Sequence, residues 1–523
     1  MGGMAVQDEG SSSVTSSSPL QFFSLMSISP TSLAAAGGSP YGSCPWPPRE
    51  MKSDERGIYL IHLLLNCANY VAAGDLEHAN ACLEHIALLG ASPDGDTMQR
   101  IAALFTDALA RRLLRASWPG IFRAITGGAA AGPAGAIPSP SVSAAAAQHL
   151  ARRHFFDLCP FLKLAYVVAN QAILEAMEGE RVVHLIDLHA TDPTPWIALL
   201  QALRSRPEGA PHLRITGVHD QKEVLDHVGA RLSEEAEKLD VPFQFNPVVS
   251  KLECLDPERS LRVKTGEAVA VCSMLQLHRL LAPDDDSGLQ LYRNATVHSK
   301  CSTSSVAQLH LMSQMGGHRG TLGELLDKEP HHLAARGNGY SPSPDSGVSS
   351  APPPHSARME AFLAGLWGLA PKVMIVVEQE SNHNGAALTE RFTEALNYYA
   401  ALFDCLESGA AAAGGGAVRA EERARVERAL FGEEVRDIIA SEGAERRERH
   451  ERLDRWLQRL DAAGFGRVPL SYYALLQARR LLQQGYAACG GYGVREEAGG
   501  CHALCWQDRP LFLVSAWRCR RFD

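Results

Sequence analysis

The order of apolar and polar positions is clearest in residues 181–206, where a strand pattern is followed by a helix pattern. The run VVHLI at 182–186 is apolar and rich in β-branched residues, which is typical of a strand covered on both faces. Asp187 follows this strand. Thr194-Pro195 is a typical helix start, with the Thr194 hydroxyl as the predicted N-cap and proline at the first helical position. Apolar residues then recur at helical spacing at Trp196, Leu199, Leu200 and Leu203. Strand, crossover and helix predict the start of a parallel α/β sheet.

The same alternation of strands and helices continues along the chain. Four further strands are predicted at Leu213–Val218, Pro242–Val249, Glu267–Leu275 and Lys372–Glu380. Helices are predicted at Met359–Leu369, Gly385–Leu406, Ala420–Ser441, Arg446–Ala462 and Tyr472–Gln484, with a loop at Gly409–Gly416. Residues 491–520 predict two or three antiparallel strands, with turns at Gly499-Gly500 and Asp508–Pro510. The predicted fold is α/β and Rossmann-like (methyltransferase-like), with a mostly parallel sheet and antiparallel C-terminal strands.

The part of the chain before this sheet has helical periodicity. Residues 1–50 are rich in Ser, Pro, Gly and Ala and are predicted to be disordered. A helix pair divided at Gly74 and a third helix through Met98–Leu113 follow, and 127–142 is a predicted loop. The pair resembles one tetratricopeptide unit, but no further copy follows, so we expect an N-terminal helical cap rather than a solenoid.

Residues 283–356 interrupt the α/β pattern with a low-complexity segment that is predicted to be a disordered insertion. Two candidate features lie inside it. They are an L-x-x-L-L pattern for partner docking at Leu322, Leu325 and Leu326, and two serines that precede proline and are candidate phosphorylation sites, Ser341 and Ser343. A second copy of the pattern, Leu60–Leu64, lies on the core face of a predicted helix.

Composition and charge narrow the class of protein. The 523 residues are 46% apolar and 21% charged, which is ordinary globular composition, and the net charge of −9 opposes general nucleic-acid binding. The 12 cysteines have no framework spacing, and the N-terminal segment lacks the basic start and apolar core of a secretory signal, so reduced thiols are expected. No apolar run reaches the roughly 18–20 residues that a membrane span needs. We therefore expect no membrane association.

Catalytic and cofactor chemistry are not indicated by the motifs. The loop Leu188–Pro195 contains no glycine, whereas Rossmann enzymes use glycines to bring backbone close to a phosphate. Asp187, or His219-Asp220 after the second strand, could contact a ribose. The favoured interpretation is a carboxylate that caps a helix or satisfies loop amides, and no cofactor is expected. The Cys501-His502-x-x-Cys505 pattern lies in a predicted strand, where residues four apart are about 13 Å apart, too far for one zinc ion. No metal site is predicted.

The segment ERRERHERLDRW at 445–456 has interleaved acids and bases. Two interpretations remain open. The favoured one is a solvated helix face with self-neutralising pairs at spacings of three and four residues, and the alternative is nucleic-acid contact. A small basic cluster at Arg518, Arg520 and Arg521 is at most a weak phosphate-binding signal.

The ordered motifs resemble the plant GRAS family of transcriptional regulators, in its SCARECROW-like branch. Val183, His184, Leu185, Ile186 and Asp187 form VHLID, which is similar to the family's VHIID signature. Leucine-rich stretches flank it on both sides. The segments RFTEALNYYAALFD at 391–404 and ERRERHE at 445–451 resemble the PFYRE region. Ser515, Ala516 and Trp517 spell the SAW motif near the end of the sequence.

The resemblance implies a domain layout over residues 51–523. It places the regions as follows: leucine-rich region I with the helical cap at about 55–178, VHIID at about 150–217, leucine-rich region II at about 218–255, PFYRE at about 264–440, and SAW at about 441–523. One departure is the sequence ATDPTP after VHLID, where most relatives have a glycine and glutamines. We expect the apolar side chains of VHLID, and Trp517, to be core residues.

The resemblance also implies a function. It implies a non-catalytic nuclear co-regulator in gibberellin signalling and root development, which associates with DELLA and other GRAS proteins as a homo- or hetero-dimer. Zinc-finger DNA-binding transcription factors would link it to DNA indirectly. The alternatives are a Rossmann-like small-molecule-binding protein or degenerate methyltransferase, and a protein that binds DNA directly.

Overall fold

The computed structural model describes residues 52–125, 142–283, 356–412, 414 and 416–520, together with the single residue 19. The described residues up to Ala282 and from Ser356 onward group into one compact unit, which is the one considered below. The predicted disordered segments and the predicted loop at 127–142 fall almost entirely outside the described residues.

Helices form the described chain before the first strand. They are α1 (Ser53–Ala73), α2 (Leu76–Leu88), α3 (Thr97–Ser117), α4 (Pro119–Ile125), α5 (Val142–Leu158) and α6 (Phe161–Ala176). The α1 helix stops because Gly74 adopts a left-handed φ of +75°. The Asp75 carboxylate then accepts a hydrogen bond from the backbone amide of His78 at 3.2 Å and caps the N-terminus of α2. The predicted helix pair and third helix are confirmed, and Leu60 and Leu64 are fully buried.

Nine strands form one sheet in the described chain. They are β1 (Val182–Asp187), β2 (His212–His219), β3 (Phe243–Val249), β4 (Ala268–Met274), β5 (Val373–Gln379), β6 (Phe465–Val468), β7 (Tyr492–Glu497), β8 (Cys501–Trp506) and β9 (Arg509–Cys519). The order is β3-β2-β1-β4-β5-β9-β8-β7, and β6 pairs with β9. The strands β1 to β5 are parallel, and β9 is antiparallel to β5. The predicted fold class is confirmed.

The helices between the parallel strands cover both faces of the sheet. They are α7 (Thr194–Arg204), α8 (Lys222–Lys238), α9 (Pro257–Ser260) and α10 (Ala357–Gly368). Because neighbouring residues of a strand point to opposite faces, Leu185 joins the core that contains Trp196 of α7, whereas Ile186 joins the core that contains Phe362 of α10. This order and two-sided cover define a doubly wound, Rossmann-like sheet.

The helices after β5 differ in part from the prediction. They are α11 (Leu388–Ala412), α12 (Ala417–Val426), α13 (Gly432–Ala440), α14 (Leu453–Ala462) and α15 (Tyr472–Gly485), and a π-helical turn at Glu427–Phe431 joins α12 to α13. The predicted loop at Gly409–Gly416 is wrong at its start, because α11 continues to Ala412. A Cβ atom on Gly409 would lie 2.4 Å from the carbonyl oxygen of Leu158, so glycine permits close packing against α5.

Candidate functional site

The VHLID motif forms strand β1, between β2 and β4. Val183, Leu185 and Ile186 are fully buried, as expected. The strand therefore contributes to both cores at once. Its apolar side chains serve the fold and leave the polar residues of the motif as the candidates for chemistry.

His184 is the first of these polar residues, and it is fully buried. Its Nδ1 lies 2.9 Å from an Arg214 guanidinium nitrogen, and its Nε2 lies 2.8 Å from the Thr216 hydroxyl. Arg214 also pairs with Glu267. Burial and the Arg214 charge lower the pKa of His184 to about 4, so the imidazole is neutral near pH 7. The arrangement is that of a satisfied core histidine.

Asp187 is 1% exposed and connects the end of β1 to the crossover. One carboxylate oxygen accepts a hydrogen bond from the backbone amide of His189 at 3.0 Å, and the other accepts one from the indole N–H of Trp196 at 2.7 Å. Burial raises the pKa of Asp187 to about 6. The carboxylate thus satisfies a loop amide and positions α7. Thr194 is the first residue of α7 rather than its N-cap, which is Pro193.

A cavity of about 460 Å³ lies at the carboxyl edge of the sheet, beside the crossover from β1. The strand order reverses between β1 and β4, and open α/β sheets bind ligands in the crevice at such a point. Apolar side chains form part of its wall: Phe155, Tyr166, Leu402, Phe431 and Phe512. The crossover contributes His189, whose Nε2 lies 3.2 Å from an Arg152 guanidinium nitrogen. The glycine-free loop therefore borders a cavity at the switch point.

The charged segment 445–456 is buried over much of its length, and the prediction of a solvated helix is wrong. Residues 446–452 are not helical, and α14 begins at Leu453. Arg446, Glu448, Arg449, His450 and Glu451 are all at most 7% exposed. The charge spacing matched a surface helix, but tertiary partners decide the conformation of this segment.

Those tertiary partners satisfy the buried charges one by one. Glu451 accepts two bonds from the Arg459 guanidinium, at 2.6 and 2.8 Å, and one from the Asn384 amide at 2.7 Å. Arg449 donates to the Asn384 side-chain oxygen and to the Gly443 carbonyl, both at 2.8 Å. The segment is thus fastened to the loop after β5 and to α14.

A buried histidine–carboxylate cluster lies next to this segment. His278, beyond β4, has Nδ1 2.7 Å from a Glu378 carboxylate oxygen and Nε2 2.9 Å from a Glu448 carboxylate oxygen. Burial opposes its charge, but the two carboxylates outweigh burial and raise the pKa of His278 to about 9. His450 and His383 face each other through their Nδ1 atoms at 2.9 Å. Sequence reasoning missed this cluster, although polar residues beyond β4 and β5 were the available signal.

The SAW motif lies in β9, inside the sheet. The Trp517 ring is 1% exposed, and its indole N–H donates to the Ser515 hydroxyl at 2.9 Å. The Ser515 hydroxyl lies 3.3 Å from the Val376 carbonyl oxygen of β5. Ala516 is opposite Ile375 in β5 and is buried. The expectation that Trp517 is a core residue is confirmed.

The remaining sequence candidates are placed as follows. The residues Leu322, Leu325, Leu326, Ser341 and Ser343 lie outside the described residues. Cys501, His502 and Cys505 all lie in strand β8, and both thiols are free. Among the described helices, none has the length and apolar character to cross a membrane.

The fold and these motifs agree with a match to the GRAS domain family model over residues 60–518, and the chain belongs to that family. It is 54% identical over 521 residues to Scarecrow-like protein 3 from Arabidopsis thaliana, with 99% of each chain covered. It is 32% identical over 476 residues to the DELLA protein RGL1 from Arabidopsis thaliana, covering 90% of this chain and 72% of that protein. The crystal structure of SCL7 from Oryza sativa is 30% identical with a TM-score of 0.62, covering 88% of this chain and 99% of that chain.

Proposed function

We propose that this protein is a non-catalytic nuclear transcriptional co-regulator that acts in gibberellin signalling and root development. The observation that carries the proposal is the 54% identity to Scarecrow-like protein 3, which extends over 99% of both chains. The similarity to a DELLA protein supports association with DELLA and other GRAS proteins. DNA is reached through zinc-finger transcription factors, in line with the net charge of −9.

The burial of the family motifs supports a division of labour within the domain. VHLID and Trp517 hold the sheet together, so partner contacts must come from other, exposed side chains. One such set lies in leucine-rich region I, where Trp118, Ile121 and Ile125 are 48%, 50% and 69% exposed. We call these three residues the cap surface. Exposed apolar clusters on stable domains are typical of protein interfaces.

Capture of a partner by residues 51–523 tests the proposal. We expect this fragment to retain a DELLA protein or a zinc-finger transcription factor in a pull-down, and Ile121→Asp to abolish retention. Val249→Asp is the matched control, because Val249 is 54% exposed at the end of edge strand β3. Circular dichroism checks that each variant folds. No capture by the folded wild-type fragment would contradict the proposal.

Nuclear action and indirect DNA contact are tested separately. A fluorescent fusion of the full chain is expected in the nuclei of root cells. A salt-dependent mobility-shift assay is expected to give weak, non-specific association with DNA alone, and a specific shift when a zinc-finger partner is added. Tight, sequence-specific binding by the protein alone would favour direct DNA recognition instead.

Small-molecule binding is a second candidate function, supported by the cavity at the β1–β4 switch point. Its volume of about 460 Å³ lies within the usual range for ligand pockets. Isothermal titration with S-adenosylmethionine and candidate hormones tests this function. Saturable binding that is lost when Arg152 is changed to Gln would support it.

A further inference from the structure

We propose that His278, Glu448 and His450 form a binding site for a zinc ion. Each side chain offers one possible ligand atom, and these atoms all lie within 4.8 Å of one another. The Glu448 carboxylate oxygen lies 2.9 Å from His278 Nε2 and 3.4 Å from His450 Nε2. Ligands at about 2.0–2.1 Å from a tetrahedral zinc ion are separated by roughly 3.3 Å. The two distances to the Glu448 oxygen are therefore close to those of a zinc coordination shell. Zinc binding releases the proton that His278 Nε2 holds in the metal-free protein.

The hydrogen bonds around His450 leave one nitrogen available. Its side chain is fully buried, and among the described residues its Nε2 has no hydrogen-bond partner. Its Nδ1 faces His383 Nδ1 at 2.9 Å, and the other nitrogen of His383 lies 2.8 Å from the Ser381 hydroxyl. If His450 donates from Nδ1, its Nε2 presents a lone pair toward a carboxylate oxygen. In this tautomer the Nε2 lone pair faces the carboxylate oxygen, and a bound cation offsets the repulsion between these two acceptors.

The groups behind the ligands resemble the outer shell of zinc sites. Metal-bound histidines usually hold their second nitrogen against a carboxylate or another acceptor, which fixes the ring and its tautomer. Here the Glu378 carboxylate lies 2.7 Å from His278 Nδ1, and Arg279 donates to the second Glu448 oxygen at 2.9 Å. Every proposed ligand is thus oriented by a neighbour.

The cluster also has an access path. His278 and Glu448 line the cavity of about 460 Å³ at the carboxyl edge of the sheet. An ion and a water molecule can reach the site from this cavity, and the water can complete a fourth coordination position. Two imidazoles and one carboxylate favour zinc over magnesium or calcium, which prefer oxygen ligands. The inference does not rest on the proposed function.

The test uses the full chain, stripped with a chelator, dialysed and titrated with ZnCl₂ at pH 7.5. We expect one equivalent bound at this site, and X-ray absorption of the zinc-loaded wild type to show nitrogen and oxygen ligands without sulfur. Co²⁺ in place of zinc is expected to give visible absorption bands of a low-coordinate site. MgCl₂ is the negative control.

Variants assign the ion to the cluster. His450→Gln and Glu448→Gln are expected to lose this equivalent, the Co²⁺ bands and the rise in thermal midpoint on adding zinc. Glu378→Gln is expected to keep the stoichiometry and weaken affinity about 10–100-fold. His502→Gln is the matched control, because His502 is a buried histidine in β8, outside the cluster.

Three results would overturn the inference. They are no zinc bound by the folded wild type, zinc held through sulfur, or equal binding by wild type and a folded His450→Gln variant. The absorption measurement on wild type keeps the inference testable if a variant does not fold. If any of the three results is found, a protonated His278 links the Glu378 and Glu448 carboxylates without a metal ion.

Discussion

Glu451→Ala tests most directly whether the charged segment 445–456 is buried, as the structure has it, or is the solvated helix that its charge spacing predicts. The Glu451 and Arg459 side chains are 3% and 6% exposed and form a two-bond ion pair. Removing the carboxylate leaves the buried guanidinium of Arg459 and the amide of Asn384 without this acceptor. Breaking such a pair from one side lowers the free energy of unfolding by about 3–5 kcal/mol.

A surface pair supplies the matched control for this change. Arg231 and Glu234 on α8 are 46% and 49% exposed, so Glu234→Ala is expected to lower stability by at most about 0.5 kcal/mol. The double variant Glu451→Leu, Arg459→Met removes both charges and is expected to recover about half of the loss or more. Urea unfolding followed by circular dichroism measures all three. Equal losses for Glu451→Ala and Glu234→Ala would refute the reasoning.

Three further substitutions probe the sheet and its neighbours. Asp187 has a folded-state pKa of about 6, above its ordinary 3.8, so its contribution to stability is present below pH 4 and is lost as the pH rises through 6. Between pH 4 and pH 7, the unfolding free energy of Asp187→Asn should therefore rise relative to that of wild type by about 2–2.5 kcal/mol. A difference that does not change with pH would contradict this. Gly409→Ala should lower the free energy of unfolding by about 1–3 kcal/mol, and the thermal midpoint with it, because the new Cβ would lie against the Leu158 carbonyl oxygen. A gain in stability, as expected for alanine in a helix without this contact, would contradict the prediction. Trp517→Ala should lose about 3–5 kcal/mol, with partner capture and unfolding midpoint falling together; lost capture at an unchanged midpoint would point to direct contact.

The parallel sheet was predictable because its signals are local. Buried parallel strands are short apolar runs, and the helices between them repeat at 3.6 residues, so β1 to β5 were located from sequence. Paired glycines at Gly499-Gly500 likewise indicated a turn, and both adopt left-handed φ angles of +83° and +76°. The burial of Asp187 against loop donors also followed from its position after a strand.

The features that could not be predicted depend on residues far apart in sequence. Glu451 accepts a hydrogen bond from Asn384, which is 67 positions away, and His278 is hydrogen-bonded to Glu448, which is 170 positions away. Interleaved charges at helical spacing are normal on surfaces, so no local signal indicates burial. Strand β6 was missed because four residues with a glycine carry little strand pattern, and pairing with β9 creates it. The cavity depends on how α5 and α11 pack, which the loop sequence does not encode.

The position of β9 has a consequence for biosynthesis. It is the last strand along the described chain, yet it lies between β5 and β8 and also pairs with β6. Until residues 509–519 are translated, β5 has an open, apolar edge, because β9 is the strand that covers it in the folded protein. The nascent chain therefore exposes an unpaired strand edge until β9 emerges, and a stop codon ahead of Arg509 is expected to leave an aggregation-prone product.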